Sequence, residues 1–236
     1  MSMKTCDCKP IPTVAIVVPC YNEGEIIESV IDGIADIGDF KIIVVDDGSS
    51  DATFQNLLNK KDILILRHRV NRGKGAAVKT GIMAANLLSV DIVVTMDGDG
   101  QHYPTDIATI IDPILNDEAD VVLGTRMMDS EGMPFIKVIA NKIGNLFTWL
   151  LYGLLVSDSQ SGFRAYSRYA ALIIDTKADK YEYDSKVIRE IKNNRLRFKE
   201  VPIGVCYTEY SMGKPQKQGF VCGLKTLGRM FWKMIV

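Results

Sequence analysis

The sequence predicts an α/β fold with a mainly parallel sheet and helices on both faces. Three features of its 236 residues carry that expectation. Short β-branched or apolar runs alternate with helix-length apolar patterns, and three such strand–helix units precede residue 92. Each strand of the first half also runs out into glycine or polar residues. In open α/β sheets ligands sit beyond the carboxyl ends of the strands, so these loops are the candidate site.

Residues 1–12 read as a lead-in. Val14 to Val18 is a strand, followed by Pro19-Cys20-Tyr21-Asn22-Glu23-Gly24. Apolar spacing at Ile26, Ile27, Val30, Ile31 and Ile34 then marks a helix, with Asn22 and Glu25 placed as a capping box. Lys41 to Val45 is a second strand, ending in Asp46-Asp47-Gly48-Ser49-Ser50-Asp51 ahead of a helix over Ala52 to Asn59. Ile63 to Leu66 is a third, closed by Asn71-Arg72-Gly73-Lys74-Gly75 before an alanine-rich helix from Ala76 to about Leu88. Val93 to Met96 is the central strand, and it opens into Asp97-Gly98-Asp99-Gly100-Gln101-His102. Tyr103-Pro104 starts a helix to about Asn116, and Val121 to Leu123 is a strand ending in Gly124-Thr125-Arg126.

Beyond this the pattern changes. Ile143 to Val156 is strongly apolar but too short to span a bilayer, which predicts a buried or surface-lying helix. Ser157 to Arg164 is a polar turn leading into a short strand, Tyr181 to Asp184 precedes a helix to Asn194, and Phe198 to Val205 returns to strand. Lys225, Arg229 and Lys233 recur every four residues near the end, opposite Leu224, Leu227, Phe231, Met234 and Ile235. Such a basic amphipathic helix either lies in a membrane interface or docks on the core. The expected division is a lead-in at 1–12, one domain over 13–210, and a basic loop and amphipathic helix over 211–236.

Composition narrows the function. Hydrophobic residues at 47% can fill a core, while 24% charged residues with a net charge of -1 give no footprint for nucleic acid. The charge is uneven: residues 211–236 hold five cations and no acid, which leaves -6 for the remainder. Cys6, Cys8, Cys20, Cys206 and Cys222 are odd in number and form no regular framework, as expected in a reducing compartment. Cys6 and Cys8 lack a second ligand pair for zinc. With neither a signal peptide's apolar core nor a run of about 20 apolar residues, the expected location is cytoplasmic, peripheral on a membrane face.

The polar strand ends define a constellation. Glu23 and Asp47 are placed to accept hydrogen bonds from a base or ribose, and Arg72 with Lys74 to meet phosphate charge. Two carboxylates one residue apart, Asp97 and Asp99, suit a hard divalent cation completed by substrate phosphate oxygens. The Arg72 to Gly75 loop is not a phosphate-binding P-loop, which needs Gly-x-x-x-x-Gly-Lys-Ser/Thr. His102 is either a neighbour of the metal site or a loop histidine fixing a turn.

The joint order of Val-Pro-Cys-Tyr-Asn-Glu at 18–23, Val-Asp-Asp-Gly-Ser at 45–49, Arg-Gly-Lys-Gly at 72–75, Asp-Gly-Asp-Gly-Gln-His at 97–102, Gly-Thr-Arg at 124–126 and Ser-Gly-Phe-Arg at 161–164 resembles the family 2 glycosyltransferases. Within that family it is most similar to the polyprenyl-phosphate sugar synthases, such as dolichyl-phosphate mannose or glucose synthases, and the likeness covers residues 12–210. It implies a GT-A fold, inversion at the anomeric carbon and Mg²⁺ or Mn²⁺. The resemblance places Pro19, Tyr21, Glu23 and Asp47 at the nucleoside, Asp97 on the donor side, and Asp99 with Gln101 as metal ligands. Arg126, Ser161 and Arg164 fall near the sugar and phosphates.

These expectations define a reaction. A hexose, mannose or glucose, passes from a GDP- or UDP-linked donor to a polyprenyl phosphate at a membrane surface. The metal and nearby guanidinium groups stabilise the leaving diphosphate. An acceptor phosphate with a second pKa of about 6 is largely dianionic at neutral pH and needs no strong base. Asp158 therefore orients the acceptor, acts as base if the acceptor is a hydroxyl, or only forms a turn. Glu182 and Asp184 either approach the acceptor or cap the following helix. Tyr207, Ser211 and Lys214 lie in a loop that either covers the phosphates or links to the tail. Where some relatives are expected to carry arginine, Lys214 and Lys217 are the available cations, and lysine lacks the bidentate fork. Rival readings are a family 2 enzyme with a glycan or other hydroxyl acceptor, a nucleotidyltransferase, and a non-catalytic nucleotide-sugar-binding protein.

Overall fold

The computed structural model describes residues 11–126, 145, 149–150, 153–176, 178–179 and 182–206. Seven strands form one sheet: β1 (Val14–Cys20), β2 (Lys41–Asp46), β3 (Ile63–Arg67), β4 (Ile92–Thr95), β5 (Val121–Thr125), β6 (Arg164–Ser167) and β7 (Phe198–Pro202). Their spatial order is β3-β2-β1-β4-β6-β5-β7. All neighbours are parallel except around β6, which runs antiparallel between β4 and β5. The carboxyl ends of β1, β2, β4 and β5 and the amino end of β6 thus share one edge of the sheet.

Alternation along the strands separates two cores. Ala15, Val17, Ile43, Val45 and Val93 face α3 (Lys74–Leu87), α5 (Arg168–Ile173) and α6 (Glu182–Asn193). Ile16, Val18, Val44 and Val94 face α1 (Ile27–Ala35), α2 (Thr53–Leu58) and α4 (Asp106–Leu115). Both faces of β1 are apolar because both are covered, which is why it reads as an unbroken apolar run. Gly81 gives α3 its close seat on the sheet, since a Cβ there would overlap Val17.

Several expectations shift on the structure. The capping box does not form. Helix α1 starts at Ile27, and no side chain caps it. Asn22, five residues earlier and at φ 55°, instead accepts the Ser50 N–H at 2.9 Å. Pairing the neighbouring loop gives its amide more than a distant helix end can. Strand β7 stops at Pro202, and Val205 makes only an isolated bridge to His102. Residues 153–156 are not helical, so the apolar helix expected over 143–156 ends earlier. The short α5 had no apolar pattern long enough to announce it; Ser167 caps it by accepting the Ala170 N–H. Among the described residues no helix is long and apolar enough to cross a membrane. The loop with Tyr207, Ser211, Lys214 and Lys217 and the amphipathic helix over 211–236 lie outside the described residues.

Candidate active site

The site grows from the loops on the shared edge. The Asp47 N–H bonds the Cys20 carbonyl at 2.9 Å, which joins the ends of β2 and β1. The Asp47 carboxylate then reaches across to the loop after β3. Its Oδ1 accepts the Arg72 N–H at 3.0 Å and its Oδ2 the Gly73 N–H at 2.7 Å. Gly73, at φ 103°, supplies a backbone geometry that other residues rarely adopt, and α3 begins directly after it. Pro19 lies inside buried β1, Glu23 is buried with its N–H on the Thr53 hydroxyl, Tyr21 is half-buried, and Arg72 is exposed.

Lys74, the first residue of α3, links two of the expected residues, Asp97 and Asp184. Its Nζ stands 2.9 Å from both carboxylate oxygens of Asp97 and 3.6 Å from Asp184 on α6. Burial works against the ammonium, but the charges of Asp184 and Asp97 outweigh it and raise its pKa. Burial likewise opposes ionisation of Asp97, and Lys74 with His102 overcomes it and holds the carboxyl well below its usual range. Asp99 goes the other way: burial and the Asp97 charge push its pKa up. His102 is buried against the Phe163 ring, with Nε2 3.8 Å from Asp97 and Nδ1 without a hydrogen-bond partner among the described residues.

Arg126 and Asp158 form a fork. The Arg126 Nε and Nη2 donate to the two Asp158 oxygens at 2.6 and 2.9 Å, and the Arg126 and Gln160 N–H groups donate to the same carboxylate. Burial raises the Asp158 pKa, and the Arg126 bonds more than offset it, so the net shift is downward. Arg164 and Ser161, expected near the sugar and phosphates, both engage the turn that precedes β6. The buried Arg164 guanidinium donates to the carbonyls of Ser161, Asp184 and Ser159 at 2.9, 3.1 and 3.0 Å. The buried Ser161 hydroxyl accepts the Phe163 N–H. In this structure both residues shape the turn at 159–163, because β6 enters the sheet antiparallel and its first residue points inward. Asp184 belongs to the same cluster, 3.6 Å from Arg164, instead of capping α6 from solvent.

Gly162 closes the centre. A Cβ on it would lie 2.5 Å from the Lys74 Nζ and 2.6 and 2.7 Å from the Asp97 oxygens. The sequence marks Gly162 as part of a turn and of the Ser-Gly-Phe-Arg motif, but not as a neighbour of Lys74 and Asp97. Nothing in the sequence marks His68, although its Nδ1 stands 2.6 Å from Asp47. A histidine after a strand carries no pattern that separates it from surface residues.

A divalent cation fits the donor set. Asp97, Asp99 and Gln101 offer only hard oxygen donors, and the mutual repulsion of the two carboxylates is what a cation relieves. Among the described residues no group of three acidic, histidine or cysteine side chains could hold a metal alone. Substrate oxygens would have to complete the coordination, as in sites that bind Mg²⁺ with phosphates. A separate cavity of about 450 Å³, lined by Phe40, Lys60 and Ile63 among others, lies at the opposite end of the sheet and plays no part here.

The family model for glycosyl transferase family 2 matches residues 15–172. The UDP-N-acetylglucosamine–dolichyl-phosphate N-acetylglucosaminyltransferase of Methanococcus voltae is 37% identical over 220 residues, covering 84% of this chain and 88% of its own. The polyprenol monophosphomannose synthase of Mycolicibacterium smegmatis is 27% identical over 223 residues, covering 89% and 83%. Among solved structures, glucosyl-3-phosphoglycerate synthase from Mycobacterium tuberculosis, crystallised with Mn²⁺, UDP and phosphoglyceric acid, superposes with a TM-score of 0.67 at 21% identity, over 91% of this chain and 78% of that one. The sheet and its helices are therefore the expected GT-A fold. Matched by the family model over two thirds of its length and by a relative along most of it, the chain belongs to glycosyl transferase family 2.

Proposed function

We propose that the chain is a metal-dependent, inverting glycosyltransferase that moves a hexose or N-acetylhexosamine from a nucleoside diphosphate to a polyprenyl phosphate such as dolichyl phosphate. The observation that carries the choice of acceptor is the Arg126–Asp158 fork. A hydroxyl acceptor needs a base, and a carboxylate engaged by four donors with its pKa held low is a poor one. A phosphate monoester, with a second pKa of about 6, arrives without that proton. The Methanococcus voltae relative's name pairs UDP-N-acetylglucosamine with dolichyl phosphate, so that donor is the first expected, ahead of GDP-mannose and UDP-glucose.

In the reaction the bond between the sugar C1 and the β-phosphate oxygen breaks, and the diphosphate keeps the electron pair. An oxygen of the acceptor phosphate forms the new bond to C1 from the opposite face. Asp47 and Glu23 hold the nucleoside, and Lys74 fixes Asp97 beside the diphosphate. Mg²⁺ or Mn²⁺ bound by Asp99, Gln101 and Asp97 would supply positive charge to the leaving group. Arg126, oriented by Asp158, adds a second cation on the sugar side. The basic segment over 211–236, with Lys214, would hold the body of 13–210 at the cytoplasmic face of the membrane that carries the acceptor.

A donor panel tests this with dolichyl phosphate in liposomes and, separately, a soluble glycan. Transfer to the lipid phosphate is expected, and transfer only to the glycan would overturn the proposal. Donor binding with no turnover on either acceptor would favour a binding protein.

Gly162→Ala tests the packed centre. Its Cβ would displace flexible side-chain ends, not backbone, so the thermal midpoint should stay close to that of the parent. Asp97 and Lys74 would move by a large fraction of an ångström, and kcat/KM is expected to fall by roughly 10²-fold. A folded variant with full activity would show that the Asp97–Lys74 geometry is not critical.

A further inference from the structure

Asp47 is oriented by more than the loop it closes. His68 follows β3, and its N–H bonds the Asp46 carbonyl at 2.9 Å, so its backbone is tied to the end of β2. Its ring is buried, with Nδ1 2.6 Å from the Asp47 Oδ1 and Nε2 2.9 Å from the Thr80 hydroxyl on α3. The Arg72 and Gly73 N–H groups also meet this carboxylate, so it accepts on every side that faces protein. Nδ1 therefore carries a hydrogen, and Thr80 holds the opposite ring nitrogen. A carboxylate offers about four acceptor positions; three are filled here, two on Oδ1 and one on Oδ2. The ring thus leaves Asp47 one aimed position, on Oδ2.

We infer that His68, held by Thr80, is a positioning residue that turns the Oδ2 of Asp47 toward the nucleoside of the donor. The inference rests on the proposed nucleoside role of Asp47. Without the imidazole, only the two backbone N–H groups, one on each oxygen, hold the carboxylate about its Cβ–Cγ bond, and its orientation is less tightly set. Outer partners of this kind fix the orientation of a binding group without touching the ligand. The same ring bridges β2 to α3, the helix whose first residue is Lys74. Nucleoside and diphosphate contacts are thereby set on one rigid frame.

The test measures UDP and GDP binding by calorimetry, and steady-state kinetics with the preferred donor, on the full chain. His68→Leu is expected to weaken nucleotide binding about tenfold, the scale of one hydrogen bond to a charged group. The donor KM should rise by a similar factor and more than kcat falls, with the acceptor KM unchanged. His68→Asn places an N–H near the former Nδ1 position and should stay within about threefold of the parent. Thr80→Val, which keeps the imidazole, should weaken binding about two- to threefold and reads the network even if His68→Leu does not fold. Nitrogen-15 spectra should show hydrogen on Nδ1 of His68. Asp47→Asn provides the reference. If it weakens nucleotide binding while folded His68→Leu and Thr80→Val do not, the inference alone is overturned. A parent chain that binds neither nucleotide overturns the proposed function and this inference together. Equal loss in both His68 variants assigns the residue a packing role and rejects the positioning one.

Discussion

Exchange of Asp99 for asparagine is expected to lower kcat by roughly 10²–10³-fold, the usual loss when a stabiliser of developing charge is removed from a preorganised site. Nucleoside contacts at Asp47 lie on another loop, so UDP affinity measured without divalent metal should change little. The same substitution should make the unliganded chain harder to unfold at pH 7. Burial first, and the Asp97 charge second, raise the Asp99 pKa above its usual value. A carboxyl whose folded pKa exceeds its unfolded value of about 3.9 imposes no penalty in acid. The penalty appears as pH rises above that value and is complete beyond the folded pKa. Asparagine removes it, so the thermal midpoints of parent and variant should coincide near pH 3 and separate toward neutrality, the variant being higher. Added Mn²⁺ should raise the midpoint of the parent only. Retained turnover in the presence of chelator would remove the metal from the reaction.

The split between what the sequence displayed and what it hid follows from range. The parallel sheet was legible because β1, β2 and β4 are covered on both faces and so appear as continuous apolar runs, each broken by glycine or acid where it leaves the sheet. The candidate site was legible for the same reason: Asp47, Lys74, Asp97 and Asp99 all stand at strand or helix ends on one edge. The Asn22 capping box failed because a local pattern competed with the loop carrying Ser49 and Ser50, which is 27 residues away in sequence. The antiparallel entry of β6 was equally invisible, and with it the inward turn of Arg164. His68 and Gly162 act only through residues brought to them by the fold. Neither Thr80 nor Lys74 lies within a spacing that links it to them.

Replacement of Lys74 by methionine should affect stability and activity together. The ammonium is the shared counter-charge of Asp97 and Asp184, and methionine leaves Asp97 with only His102 at 3.8 Å and Asp184 with Arg164. Removing one partner of a fully buried pair costs about 3–5 kcal/mol. The Lys74 and Asp97 side chains keep 23% and 25% of their exposure, so solvent screening reduces the expected loss at pH 7 to about 2–3 kcal/mol. The pH window has two ends. Lys74 has a raised pKa, so its contribution is complete below the unfolded value of about 10.4 and disappears as pH climbs through the folded one. Asp97 is depressed, so its contribution is complete above about 3.9 and is lost as pH falls. The difference between parent and variant should therefore be widest across neutral pH and narrow in acid, where Asp184, its pKa raised by burial, takes up its proton first while the depressed Asp97 stays ionised in the parent to lower pH. Urea unfolding at pH 7 and at pH 3 measures it. The same variant should lose roughly 10²-fold in kcat/KM, because Asp97 is no longer fixed beside the diphosphate. A deficit that persists unchanged at pH 3 would mean that Lys74 contributes through its packed methylene chain, and its charge would then be irrelevant to both stability and transfer.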